Sequence, residues 1–244
     1  MTGPEAERSR AGCIAANLAT LRSRIAAACE AVGRRVDEVA VIAVTKTYPA
    51  SDVRILTNLG IRDVGENRDQ EAAPKAAECA DLALRWHFVG QLQTNKVRSV
   101  VRYADVVHSV DRERLARELG TRARAVGREI SCLVQVNLDP ESAAGVLGPR
   151  GGADPRDVLS VADAVHAEEG LAVGGVMAVA PRGGDPAEAF GRLAEVAAQV
   201  RARYPQATVV SAGMSGDLEA AIASGATHLR IGTALLGDRA ANVG

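Results

Sequence analysis

Val41-Ile42-Ala43-Val44-Thr45-Lys46 is an uncharged, largely β-branched run that ends on a lysine. With Val39 and Ala40 before it the stretch reads as a buried strand, and the way such runs alternate with helical periods along the chain decides the fold. Lys46 stands where the strand passes into a loop, which is where α/β folds place reactive groups. A lysine amine held partly out of water has its charged form disfavoured and becomes a nucleophile toward aldehydes. One reading of Lys46 is therefore a Schiff-base lysine; the other is a lysine that caps a strand or pairs with an acid.

Outward from this strand, Ile14, Leu18, Leu21, Ile25 and Val32 share one face of a helix over about Glu5–Val32, ahead of the first strand. After it come a helix near Ser51–Leu59, a strand at Arg62–Val64 and a helix near Arg68–Cys79. Further strands are expected at Trp86–Val89, Asp105–Ser109, Ser131–Asn137, Ala172–Val179, Thr208–Ser211 and Thr227–Ile231. Leu115/Leu119/Val126, the stretch Asp157–His166 and Phe190/Leu193/Val196/Val200 keep helical periods between them. Eight strands alternating with helices predict an α/β fold, a single (β/α)8 TIM barrel over residues 1–244 with an extra N-terminal helix. An open doubly wound sheet would carry a G-x-G-x-x-G fingerprint after its first strand, and none is present. Leu138–Pro155, with several Gly and Pro and no hydrophobic period, predicts a mobile loop after strand five that could cover a ligand.

At 244 residues and 47% apolar the chain has the size of a one-domain barrel. Its 29 basic and 30 acidic residues nearly cancel and only 2% is aromatic, which excludes the charge footprint and stacking platforms of a nucleic-acid binder. No run approaches the roughly 18 apolar residues of a membrane span, and Met1–Arg10 is polar, unlike a signal peptide. A cytoplasmic protein is expected. Cys13, Cys29, Cys79 and Cys132 form no C-x-x-C pair and read as small buried hydrophobes; His87, His108, His166 and His228 are dispersed, and no metal is implied.

Barrel active sites form at the C-terminal ends of the strands, with phosphate commonly held after strands seven and eight. After strand seven stands Gly213-Met214-Ser215-Gly216-Asp217, followed by helical Leu218–Ala223, with Ser215 suited to that helix's N-terminus. After strand eight stands Arg230-Ile231-Gly232-Thr233. Taken singly, Ser215 reads as a helix cap, Gly232 as a turn and Arg230 as a partner of Glu66 or another acid. Taken with Lys46, which a closed barrel sets beside them, they suit a phosphorylated aldehyde. The Gly213-x-Ser215-Gly216 spacing is not a nucleophile elbow. Gly65-Glu66-Asn67-x-x-Gln70-Glu71 adds an amide and acids at the mouth, and Gln91-Leu92-Gln93-Thr94-Asn95-Lys96 opens a helix that binds an anion or partner, or is merely solvated.

In order, Ala43-Val44-Thr45-Lys46, Gly65-Glu66-Asn67, His87-Phe88-x-Gly90-x-Leu92-Gln93-x-Asn95-Lys96, Gly175-x-Met177-Ala178, Gly213-Met214-Ser215-x-Asp217 and Arg230-Ile231-Gly232-Thr233 resemble the pyridoxal-phosphate homeostasis proteins, the YggS/PROSC family. The resemblance runs from about Leu18 to Gly237. It implies a fold-type III barrel similar to the N-terminal domain of alanine racemase, without that enzyme's second domain. It implies pyridoxal 5′-phosphate bound covalently as a Schiff base on Lys46, with Ser215, Gly232 and Thr233 at the phosphate, Arg230 at the pyridine nitrogen, and Met214 and Asn67 lining the pocket. Relatives often carry a lysine in the loop after strand five, where this chain reads Asp139-Pro140-Glu141-Ser142-Ala143-Ala144-Gly145.

The function this implies is that of a non-catalytic monomeric carrier or buffer of pyridoxal phosphate, serving vitamin B6 and amino-acid homeostasis with pyridoxal-phosphate-dependent apo-enzymes as recipients. The alternatives are a racemase- or decarboxylase-like enzyme using Tyr48, His87 or Glu66 as proton donor, and a cofactor-free Schiff-base aldolase acting on a phosphorylated sugar.

Overall fold

A computed structural model describes residues 4–139 and 151–237. The apolar runs become eight parallel strands that close on themselves in sequence order. They are β1 (Ala40–Val44), β2 (Asp63–Glu66), β3 (Arg85–Phe88), β4 (Val106–Val110), β5 (Ile130–Gln135), β6 (Leu171–Met177), β7 (Val209–Ser211) and β8 (His228–Ile231). The described helices are α1 (Pro4–Ala31), α2 (Ala50–Asn58), α3 (Asp69–Glu78), α4 (Val97–Val100), α5 (Glu113–Ala125), α6 (Val158–His166), α7 (Pro186–Arg203), α8 (Leu218–Ala223) and α9 (Thr233–Leu236). Closure pairs β1 with β8, Ala40 opposite His228 through Ala43 opposite Ile231. The expected strands are all present, most of them displaced by one or two residues.

Side-chain alternation sorts each strand into an axial and an outer face. A methyl placed on Gly65 would stand 3.0 Å from Ile42 Cγ2 and 3.4 Å from Val44 Cγ2, so these three share the barrel interior. Val64 and Trp86 lie on the other face, packed with Val53, Ala76 and Cys79 of the helical layer. Part of the interior is filled by Val106, Leu133 and Met177, with Val209 against them. Other axial positions hold polar groups.

α1 is an integral part of this packing. Ile14, Leu18, Leu21 and Ile25 are each no more than 3% exposed, which at about 1.5–3 kcal/mol per large apolar side chain makes the helix a substantial contributor. It lies against α2, α8 and α9, the helices that follow strands one, seven and eight. Val32, expected on the same face, is instead exposed, as is Val126 beyond α5. In both places the helix has ended. Gly33 (φ 66°) and Gly127 (φ 63°) turn the chain out, and Arg34 and Arg128 donate back to the carbonyls of Cys29 and Ala123. Cys29, Cys79 and Cys132 are buried as expected, whereas Cys13 is exposed.

The loop expected at Leu138–Pro155 falls largely on residues 140–150, outside the described residues. Its last part is fixed. Ala153 bridges to Val136, its amide donating to the Gln135 carbonyl at 2.7 Å, while Gln135 Nε2 donates to the Gly151 carbonyl at 2.9 Å. The missing-lysine segment, apart from Asp139, also lies outside the described residues.

Candidate functional site

The ladder of β1 continues one step past its end, since the Thr45 amide donates to the Gly65 carbonyl at 2.9 Å. Lys46 thus keeps the parity of Ile42 and Val44 and stands at the C-terminal mouth of the barrel. It is exposed, so the partial burial expected for it is absent from this structure: the strand stops short of covering the side chain. Beneath it is a buried polar knot. Glu66 Oε1 accepts from Thr45 Oγ1 at 2.6 Å and from Lys75 Nζ at 2.6 Å, and Lys75 Nζ also donates to the Thr45 carbonyl at 2.7 Å. Glu66 sits on the outer face of β2, which is why it pairs with α3; the expected alternative of a Glu66–Arg230 pair does not occur.

Across the seam where β8 meets β1, the loops after β7 and β8 come together. Ser215 does not cap α8; Asp217 holds that position, and its carboxylate accepts from the Met214 amide at 2.5 Å. Ser215 Oγ instead accepts from the Ala234 amide across the gap at 3.4 Å, which brings the loop after β7 and the start of α9, where Thr233 stands, into one cup. Gly232 completes it: a Cβ there would lie 3.5 Å from the Val44 carbonyl oxygen, so the cup abuts the strand that carries Lys46. Gly213 (φ 91°) is required behind it, because a Cβ would come within 2.6 Å of Ala221 Cβ. Met214 is exposed at the mouth and Asn67 is half-buried. Asn67 lies against Gly90, where a side chain would collide with the Asn67 carbonyl at 2.1 Å.

Arg230 is the buried member, 6% exposed on the axis. Nη1 donates to the carbonyl and hydroxyl oxygens of Ser211, each at 2.8 Å, and Nη2 to the Ala178 carbonyl at 2.8 Å. Burial lowers its pKa to about 10, against the opposing field of Asp217, so the group remains a cation near neutrality with dipoles and no carboxylate among its hydrogen-bond partners. Such a charge favours an electron-rich ligand atom.

Two further residues support the site: Arg24, which nothing in the sequence singles out, and Tyr48, which the sequence suggested only as a proton donor. Arg24 of α1 donates to the Ser215 carbonyl at 3.2 Å while gripping Glu219 at 2.7 Å. Tyr48 OH donates to the Gly237 carbonyl at 2.6 Å, tying the loop after β1 to the end of α9. The Gln91–Lys96 run forms a 3-10 turn at Thr94–Lys96 leading into α4.

Three histidines dispersed in the sequence converge inside the barrel. His87 Nδ1 is 2.8 Å from His108 Nε2, and the His228 ring lies 6.4 Å from that of His87. With Arg85 and Glu129 they line a cavity of 310 Å³ at the end opposite Lys46. Burial first, then the charges of His87 and Arg230, hold His108 well below the ordinary imidazole pKa; burial and His87 bring His228 to about 4. Burial would raise Asp63, but its bond to His87 and the neighbouring cations outweigh that and leave it lowered. Among the described residues no cluster of three His, Cys, Asp or Glu is placed to hold a metal ion, and no helix is long and apolar enough to cross a membrane.

A closed parallel barrel of this topology belongs to the class described as alanine racemase, N-terminal domain, whose family pattern matches residues 16–240. The alanine racemase of Corynebacterium glutamicum shares this fold at a TM-score of 0.69 and 14% identity, over 96% of this chain and 63% of that one. Within the class, the pyridoxal phosphate homeostasis protein of Mycobacterium tuberculosis is 44% identical over 241 residues, 91% of each chain. PipY of Synechococcus elongatus, solved with pyridoxal phosphate bound, superimposes at a TM-score of 0.77 with 37% identity over 92% of this chain and all of that one. The chain belongs to the family of pyridoxal phosphate homeostasis proteins.

Proposed function

We propose that this protein binds pyridoxal 5′-phosphate covalently on Lys46 and acts as a reversible, non-catalytic carrier or buffer of it for pyridoxal-phosphate-dependent apo-enzymes. The observation that carries the reading is the β8–β1 seam, where the cup of Ser215, Gly232 and Thr233 abuts the strand bearing Lys46. The donors fit the group: hydroxyls and backbone amides for a phosphate, an amine for an aldehyde, a buried guanidinium for a ring nitrogen. The bound aldehyde supplies a carbonyl with which the Lys46 amine condenses, forming a C=N bond and releasing water.

Arg230 favours the carrier reading over a racemase. A guanidinium only donates, so a ring nitrogen facing it stays an unprotonated acceptor, and the ring is a weaker electron sink than one paired with a carboxylate. The three groups weighed as proton donors are engaged elsewhere: Tyr48 on Gly237, Glu66 between Thr45 and Lys75, and His87 inside the barrel.

Purified protein incubated with pyridoxal phosphate will turn yellow, and borohydride followed by peptide mapping will find a pyridoxyl group on Lys46. Protein that stays colourless and unlabelled sinks the proposal. Ser215→Ala with Thr233→Ala will loosen retention by about tenfold or more, since two donors to a charged group are removed; unchanged affinity would show that the cup is misplaced. Solvent deuterium appearing at the α-carbon of amino acids, and lost in Lys46→Ala, would favour the racemase-like alternative.

A further inference from the structure

Arg230 is the upper end of a continuous row of hydrogen bonds that runs down the barrel. Its Nη1 meets Ser211 Oγ at 2.8 Å, Ser211 Oγ meets His108 Nδ1 at 3.1 Å, His108 Nε2 meets His87 Nδ1 at 2.8 Å, and His87 Nε2 meets Asp63 Oδ1 at 2.9 Å. The row links β8, β7, β4, β3 and β2 and ends on the carboxylate that holds His87, a residue lining the cavity remote from Lys46.

The chemistry of these groups fixes which way every proton points. A guanidinium has no acceptor, so Ser211 Oγ accepts from Arg230. The hydroxyl has a single proton and among the described residues its other partner is His108 Nδ1; with that nitrogen accepting it, the buried hydroxyl proton is not left unpaired. His108 is fully buried between two potential cations and is held neutral, so its proton lies on Nε2 and is donated to His87 Nδ1. His87 then carries its own proton on Nε2 and donates to Asp63. Every link donates in the same direction, from the cation to the anion, and aligned hydrogen bonds of this kind polarise one another.

We infer that His108, acting through Ser211, is a positioning residue for Arg230, anchored by a one-way chain that ends on Asp63 at the far end of the barrel. The inference rests on the reading that Arg230 meets the cofactor's ring nitrogen. Three of the five guanidinium N–H groups are committed, two to Ser211 and one to Ala178, which leaves the remaining two in a fixed orientation for the ligand. A carboxylate placed directly against Arg230 would compete with the ring nitrogen for those donors, and none is among its hydrogen-bond partners.

The test begins on the ligand-free protein. With 15N-labelled histidine, two-bond 1H–15N correlation spectra distinguish the tautomers of the four imidazoles. His87 and His108 are both expected neutral with the proton on Nε2; a proton on His108 Nδ1, or a cationic His108, overturns the chain. The second arm uses protein loaded with pyridoxal phosphate. His108→Asn keeps an oxygen where Nδ1 accepts from Ser211 and is expected to retain the wild-type absorbance maximum and release rate within about twofold, whereas His108→Phe shifts the maximum and releases the cofactor about tenfold faster. Identical behaviour of the two variants would reduce His108 to a packing residue and overturn the inference. If wild-type protein takes up no pyridoxal phosphate, the reading of the site fails and the role assigned to Arg230 fails with it. If the protein binds the cofactor but the tautomers differ from those expected, only the chain fails.

Discussion

Thr47, the residue after Lys46, holds φ at 70°, a conformation that costs a β-branched side chain more than almost any other. It is kept there by its neighbours: its amide donates to Glu71 Oε2 at 3.0 Å, and the Tyr48 amide donates to the Thr45 carbonyl at 3.0 Å. The strain sits where the chain must turn sharply from strand to loop. Thr47→Asn, which tolerates the left-handed region, should raise stability by about 1 kcal/mol, or roughly 2–4 °C in thermal unfolding. A melting temperature that falls would show that the threonine side chain contributes more than the turn costs. Nothing in the local sequence signals this conformation. Lys46 itself was legible, because an apolar run ending in an amine is visible without tertiary structure; its exposure was not, because that depends on how far its neighbouring loops reach.

At the scale of elements, the strands and the long helical faces were legible because each is a local period of two or of 3.6. The errors cluster at ends. Val32 and Val126 continue the spacing of their helices, but a glycine in the next position stops each helix before the last residue can turn inward. Ser215 was assigned to its own helix for a related reason: a local reading offers it only α8, whereas barrel closure brings α9 within reach. The support that α1 gives to the cup was equally invisible, since Arg24 and Ser215 are 191 residues apart. Arg24→Ala separates the two roles of this helix. Its ion pair with Glu219 is exposed at both ends and is worth at most about 1 kcal/mol, so the melting temperature should change little. Release of pyridoxal phosphate should accelerate several-fold as the Ser215 carbonyl loses its donor. Equal retention in the variant and the wild type would show that the loop holds its shape unaided.

For the molecule as a whole, the buried histidines set a pH dependence. His228 is depressed to about 4 from an unfolded value of 6.5, so between those limits the unfolded chain binds the extra proton. Stability is therefore full above about pH 6.5 and declines as pH falls toward 4, by up to about 1.4 kcal/mol per pH unit for each such group. His108 acts with the same sign, and Asp63, lowered from 3.8, adds its loss below that value. Urea unfolding at pH 7, 6 and 5 should show the decline, and His228→Gln should flatten it; a flat wild-type profile would contradict the burial of these imidazoles. That His87, His108 and His228 meet was not legible, because they lie on separate strands and only the closed barrel makes them neighbours.

The hydrogen bond from Tyr48 to Gly237 spans 189 residues, and it ties the place where Lys46 emerges to the last described turn of the chain. During synthesis the Lys46 amine leaves the ribosome well before Arg230, Gly232 and Thr233 do. Until those residues emerge, a nascent chain presents an ordinary lysine. The seam proposed for the cofactor comes into being only when β8 docks beside β1, so a loaded molecule would certify its own completed folding.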